Sequence, residues 1–287
     1  MPPVYHFFLQ PARKTRVRAI GDDDRGGLGE TAASWPEAAL PPMVTSSSTP
    51  LAVDQRSEAE VLQAVVRMTR LWYSVGMEIT KFGHCCLLIK EGALMILTDP
   101  GMYTTAQDRI TGIDVVLITH EHQDHYHLES VRAILRHNPQ AKVYTINSVG
   151  QLLAAAGVPF ALLEHGQAVT EREVPIEAYG QDHGVIHPSW PRSSNTGYFI
   201  NRRLWYPGDA LTVPPHPVEI LALPVAGPWL KLAEVIDFAA AIKPRQSFPV
   251  HDAMYRDPTT ARRFPGMILQ KMGIPFQVLE LNKAYSL

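Results

Sequence analysis

Asp114-Val-Val-Leu-Ile-Thr119 runs straight into His120-Glu-His122-Gln-Asp124-His125. The first half is a continuous apolar row with β-branched residues, the pattern of a parallel strand buried on both faces. The second half gathers three imidazoles and a carboxylate at the carboxyl end of that strand. In an extended or tightly turning segment, residues two apart project to the same side, so His120 and His122 can close on one ion. Asp124 and His125 then face a neighbouring position. Such a turn can build a two-metal centre with ions roughly 3.5–4 Å apart. A His-rich surface loop would carry the same residue types, but rarely so many behind so regular a strand.

The stretch resembles the His-x-His-x-Asp-His signature of the metallo-β-lactamase-fold superfamily. The resemblance covers about residues 77–287 and implies an α/β protein, an αββα four-layer sandwich with metal ions at one edge.

The 287 residues, 46% of them hydrophobic and 19% charged, suffice for one full domain core plus an extension. A net charge of −2 and the lack of a dense Lys/Arg stripe argue against a dedicated nucleic-acid surface. No apolar run reaches the roughly 18–20 residues of a membrane span, and Phe7-Phe8-Leu9 is too short for a signal-peptide core. A cytoplasmic protein is expected. Its two cysteines, Cys85 and Cys86, are adjacent and face opposite ways in a strand, so no disulfide is expected and both read as small apolar fillers.

Residues 1–76 read as an N-terminal extension ahead of a domain at 77–287. Up to about residue 50 the extension carries prolines, Asp22-Asp-Asp24, Gly26-Gly-Leu-Gly29 and Ser46-Ser-Ser48 without apolar period, and is expected to be disordered. Val61, Leu62, Val65, Val66 and Met68 then recur near helical spacing, which predicts a helix over 54–72 with Asp54 as cap.

From Met77 the pattern becomes regular. Strands are predicted over 78–81, 85–90 and 93–98, the last two joined across Glu91-Gly92. A helix follows the histidine stretch through Leu128, Val131, Ile134 and Leu135 and stops at Asn138-Pro139. Next come a strand at 142–146, a short helix at 149–156 capped by Ser148 and closed by Gly157, and a strand at 173–179. A hairpin at 195–200 and 203–206, a strand at 219–223, a helix at 230–242 and a strand at 246–250 complete the reading.

The resemblance assigns roles along this frame. Asp99-Pro100 resembles the family's Asp-Pro, whose aspartate supports the metal loop from behind, although Asp-Pro-Gly is also good turn chemistry. Phe82-Gly83-His84 resembles the Gly-His of a subgroup that includes ascorbate-6-phosphate lactonases and N-acyl-phosphatidylethanolamine phospholipases. His84 either lines the site or is a satisfied structural histidine, and the second role is preferred. His183 and His187 compete for the third ligand of the first metal; His183 is preferred, which leaves His187 as a pocket or surface residue. Asp209, in Pro207-Gly-Asp209, resembles the carboxylate that bridges both metals. The expected sets are His120, His122 and His183 for the first ion, and Asp124, His125 and His251 for the second, with Asp209 shared. Trp190, Trp229 and Tyr126 are candidates for a pocket rim or for ordinary packing.

The implied activity is that of a binuclear metal-dependent hydrolase. A metal-bridging hydroxide would cleave a small ester, lactone or phosphoester, with Asp124 or Asp209 orienting it. Two divalent ions are expected, zinc first, with manganese or iron also fitting the donors. The alternatives are a di-iron redox protein of the same fold, a nuclease within the superfamily, and a non-catalytic binding module.

Overall fold

A computed structural model of the chain describes residues 76–287. The expected disordered segment and the helix at 54–72 lie outside these residues.

The three strands predicted after Met77 are β1 (Glu78–Gly83), β2 (Cys86–Glu91) and β3 (Leu94–Thr98). They pair antiparallel in sequence, and β3 then pairs parallel with β4 (Val115–Ile118), the strand that precedes the histidine stretch. Parallel pairing continues to β5 (Lys142–Thr145) and β6 (Ala161–Leu162), while β13 (Ala284–Ser286) closes the other edge against β1. The result is a seven-stranded sheet in the order β13-β1-β2-β3-β4-β5-β6. The second sheet has six strands, in the order β12-β11-β10-β9-β8-β7. These are β7 (Ala168–Glu171), β8 (Val174–Tyr179), β9 (Gly197–Ile200), β10 (Leu204–Tyr206), β11 (Ile220–Pro224) and β12 (Gln246–Val250).

The reason β4 is apolar throughout is visible in its packing. Val115 and Leu117 face the second sheet, where they meet Ile176, Tyr198 and Tyr206 in one core. Val116 and Ile118 face outward onto Val131 and Ile134 of α1 (Leu128–His137) and Val149 and Leu153 of α2 (Asn147–Ala155). The second sheet repeats the arrangement: Ile220 and Ala222 point inward, and Leu221 and Leu223 pack on Val235, Phe238 and Ala239 of α3 (Leu232–Ile242) and Leu269 of α4 (Thr259–Lys271). Burial on two faces requires this continuous apolar run. The layers are therefore helix, sheet, sheet, helix, the αββα sandwich that the sequence implied.

Several expected details differ. Ser148 is not the cap of α2. The cap position is Ile146, the helix starts at Asn147, and the Asn147 amide donates to Glu164 Oε1 at 2.9 Å. Glu164 therefore takes the cap's task, and the Ser148 hydroxyl donates to Glu121 Oε2 instead, at 2.7 Å. α3 begins at Leu232 rather than Leu230, because the Glu234 carboxylate accepts from the Lys231 amide at 2.7 Å and fixes the first turn there. The expected elements did not include β6, β7, β13 or α4. The two-residue β6, half of β7 and most of β13 are exposed edges with little apolar signal, and α4 carries an internal Pro265 that argues against a helix.

Candidate metal centre

β3 and β4 run parallel in one sheet, and β8, β10, β11 and β12 share a direction in the other. Their carboxyl ends deliver Asp99, His120, His183, Asp209 and His251 to one edge of the sandwich. Three of the contributing residues have left-handed backbone: His84 at φ 46°, Asp99 at φ 37° and His251 at φ 56°. Such conformations cost of order 1 kcal/mol or more in non-glycine residues and cluster where function over-determines the chain. Two glycines permit the close approach of the loops. A Cβ on Gly101 would fall inside the backbone carbonyl of Asp124, and one on Gly208 would overlap the Asn195 side chain and crowd Thr119. Gly208 also has φ 63°.

The side chains form two adjoining groups. His120, His122, His183 and Asp209 offer donor atoms that lie within 4.8 Å of one another, and so do His84, Asp124, His125 and His251. Asp209 stands between them. Its Oδ2 is 3.3 Å from His183 Nε2 and 2.9 Å from His251 Nε2, while its Oδ1 is 3.0 Å from His125 Nε2. His120 Nε2 and His122 Nδ1 are 3.1 Å apart, a spacing that suits two nitrogens each about 2 Å from one ion.

The outer hydrogen bonds decide which nitrogen faces inward. Thr119 Oγ1 donates to Asp99 Oδ2 at 2.8 Å, so it accepts from His120 Nδ1 at 3.0 Å and leaves His120 Nε2 bare. His125 Nδ1 donates to Asp99 Oδ2 at 2.7 Å, and His183 Nδ1 to the Gly184 carbonyl at 2.7 Å; in both, Nε2 is left bare. His122 Nε2 donates to Ser193 Oγ at 3.3 Å, which leaves Nδ1. His84 differs: its Nδ1 accepts the Ala253 amide at 3.1 Å, so its Nε2 carries the proton and donates to Asp124 Oδ2, 3.1 Å away. With both ring nitrogens engaged, His84 holds Asp124 rather than presenting a bare nitrogen.

Electrostatics follow from crowding. Burial pushes the His120 imidazole well below its ordinary pKa, and neighbouring His125 adds to this. Burial would also depress His125 and His251, yet Asp209 and its neighbours outweigh it and raise both, His251 to about 10. Burial would raise Asp209, but His125 and His251 hold it well below the carboxylate range. This is a dense set of opposed charges without water access: His120, His125, His183, Asp209 and His251 are all buried. Inside it, His125 Nε2, His183 Nε2 and His251 Nε2 face the Asp209 carboxylate at 2.9–3.3 Å, yet neither they nor Asp209 Oδ1 make a well-aligned hydrogen bond. Each unpartnered buried polar atom costs about 1–3 kcal/mol. Cations bound between these atoms would satisfy all four, so the residues fit metal.

His187 is not among the donor groups; it is exposed, bonds Ser189 and lines the cleft beside His183. Asp99 lies behind the site, where it accepts from His125, Thr119 and Tyr206 at 2.6–2.8 Å. Trp229 packs against His183 and His251, with ring centroids 5.6 and 6.0 Å away. Tyr126 is packed in the outer core on the α1 side, and Trp190 is exposed. Of the two cysteines, Cys86 packs in the outer core as a filler does. Cys85 packs in the core between the sheets, as a filler does, and its thiol also lies among donor atoms of His125 and Asp209. Alternation alone could have separated the two thiols.

Sequence reasoning also missed Ser193, which orients His122, and the Lys81-Asp252-Arg262 network. Asp252 Oδ2 accepts from Lys81 Nζ and Arg262 Nε, both at 2.7 Å, directly after His251. A lysine in the buried row of β1 was the available signal.

A family model described as a beta-lactamase superfamily domain matches residues 78–251. Protein Rv0786c of Mycobacterium tuberculosis is 36% identical over 213 residues, 72% of this chain and 99% of that protein. Among solved structures, Igni18, a metallo hydrolase from Ignicoccus hospitalis, superposes with TM-score 0.59 at 19% identity, over 73% of this chain and 97% of that one. CmlA, a diiron β-hydroxylase from Streptomyces venezuelae, superposes with TM-score 0.58 at 16% identity, over 80% of this chain and 60% of that one. The fold, the matched domain and the length of the Mycobacterium alignment agree, and the chain belongs to the beta-lactamase superfamily with the metallo-β-lactamase fold.

Proposed function

We propose that the protein is a binuclear metal-dependent hydrolase acting on a small ester, lactone or phosphoester. The observation that carries this reading is the set of four buried donor atoms on His125, His183, Asp209 and His251, which lack well-aligned hydrogen bonds and converge between two histidine-aspartate groups. His120, His122 and His183 would hold one ion and Asp124, His125 and His251 the other, with Asp209 shared. Zinc is the first expectation for imidazole and carboxylate donors, and manganese or iron also suit them. When bound, such ions supply Lewis acidity and lower the pKa of water toward neutrality.

The chain's own residues do the rest. Asp99, Thr119, Ser193 and the Gly184 carbonyl fix four imidazole tautomers, so the donor set is assembled before any ion enters. His84 donates to Asp124 and keeps that carboxylate turned into the site, where it can accept a proton from attacking water. Trp229 packs its ring against His183 and His251 on one side of the site. The superfamily's oxygen-chemistry branch is represented by CmlA, but this chain spans only 60% of CmlA against 97% of Igni18, which favours hydrolysis.

The test is turnover of carboxyl-ester and phosphodiester reporters by protein loaded with zinc or manganese, beside chelated protein and Asp209→Ala. Hydrolysis that depends on metal and falls at least about a hundredfold in the variant supports the reading. Two tightly held irons with oxygen-dependent, rather than hydrolytic, turnover would replace it with the redox alternative.

A further inference from the structure

The cleft that opens on His122 and His183 is walled by the loop following His183, which lines it with the apolar Val185, Ile186 and Trp190 beside His187 and Arg192. Trp190 is 60% exposed and Val185 52%, although both sit beside buried metal-binding candidates. On the other side of the site Tyr103, 47% exposed, lays its ring 4.7 Å from that of His84. Exposed large apolar groups beside a concave site mark a surface that a ligand covers. The cleft has one permanent cation, Arg192, and its charge is already engaged: Nε donates to the His183 carbonyl at 2.7 Å and a terminal nitrogen pairs with Asp182 at 3.2 Å. A phosphate group or nucleic-acid strand would find no free Lys or Arg among the residues lining this cleft.

From this wall we infer that the substrate is an uncharged carboxylic ester whose acyl chain is apolar and lies along Val185, Ile186 and Trp190. The inference rests on the hydrolase reading and narrows it. In the reaction, water oxygen joins the carbonyl carbon and the acyl C–O bond breaks. The water proton passes to the leaving oxygen, giving a carboxylic acid and an alcohol. A lactone is the cyclic form of the same chemistry and yields one hydroxy acid.

The experiment uses the full, metal-loaded chain in two arms. In the first, kcat/KM is measured for p-nitrophenyl acetate, p-nitrophenyl octanoate, γ-decalactone and bis(p-nitrophenyl) phosphate. The octanoate ester should exceed the acetate by at least about tenfold, the gain from burying about two methylenes. The phosphodiester should rank lowest, and the relative rates of octanoate ester and lactone separate the open from the cyclic form. In the second arm, calorimetry compares free octanoate with acetate, and octanoate should bind at least about tenfold tighter. Trp190→Ala should bring both ratios toward one, while Met272→Ser, at another exposed apolar residue, at the end of α4, should change neither. A flat ratio in either arm, or a phosphodiester that outranks the octanoate ester, overturns the inference. If no reporter is hydrolysed, the hydrolase reading fails, and the carboxylate pair still judges the cleft.

Discussion

Asp99 shows how much one side chain can organise. Its two oxygens accept from the Thr119 amide and hydroxyl, the His125 ring and the Tyr206 hydroxyl, all within 2.8 Å. Asp99→Asn should keep the fold but weaken metal affinity about 10–100-fold, because the amide cannot accept from all of these donors and His125 loses its fixed tautomer. Competition against a chromophoric chelator measures this, and an unchanged affinity would show that Asp99 is only a turn residue. A second residue-scale case is Asp252. Burial would raise its pKa, but Lys81 and Arg262 outweigh burial and hold it below the ordinary 3.8. A carboxyl lowered in the folded state contributes stability that is present above its unfolded value and lost as pH falls through the folded one. In metal-free protein, the stability gap between wild type and Asp252→Asn should therefore be full at pH 6 and shrink as pH drops below about 4. Urea midpoints across that range provide the check, and a gap that widens in acid would contradict it.

At the scale of elements, the loops owe their placement to backbone contacts that side-chain patterns barely record. β4 and its histidines were legible because a strand buried on both faces must be apolar throughout, and because metal donors two apart share a side. The strand ends that carry His183, Asp209 and His251 were legible too, as histidine or aspartate directly after an apolar run. Ser193 was not, since a serine in a polar loop carries no signal until His122 is beside it. Neither was the start of α2, where Glu164 from a distant loop meets the first amide. Gly101 sits against the carbonyl of Asp124 in the same hidden way. Gly101→Ala should displace the histidine loop and destabilise the domain by about 1–3 kcal/mol, as overpacking does. Denaturant unfolding tests this, and a loss under about 0.5 kcal/mol would mean the two loops are free to part.

Across the whole molecule, two sheets with helices on their outer faces leave one edge where loops from both sheets meet, and the histidines and aspartates gather there. Among the described residues no helix is long and apolar enough to cross a membrane. Because the donor atoms come from both sheets, ions bound among them would tie the layers together, and metal should raise the melting temperature by mass action. The central claim is that these groups hold two ions through a shared Asp209. Native mass spectrometry of protein purified without added metal, beside Asp209→Ala and His122→Ala, tests it most directly. About two divalent ions per chain are predicted, with one or both lost in each variant. Less than about a tenth of an equivalent, even after incubation with zinc, manganese or iron, would contradict the account.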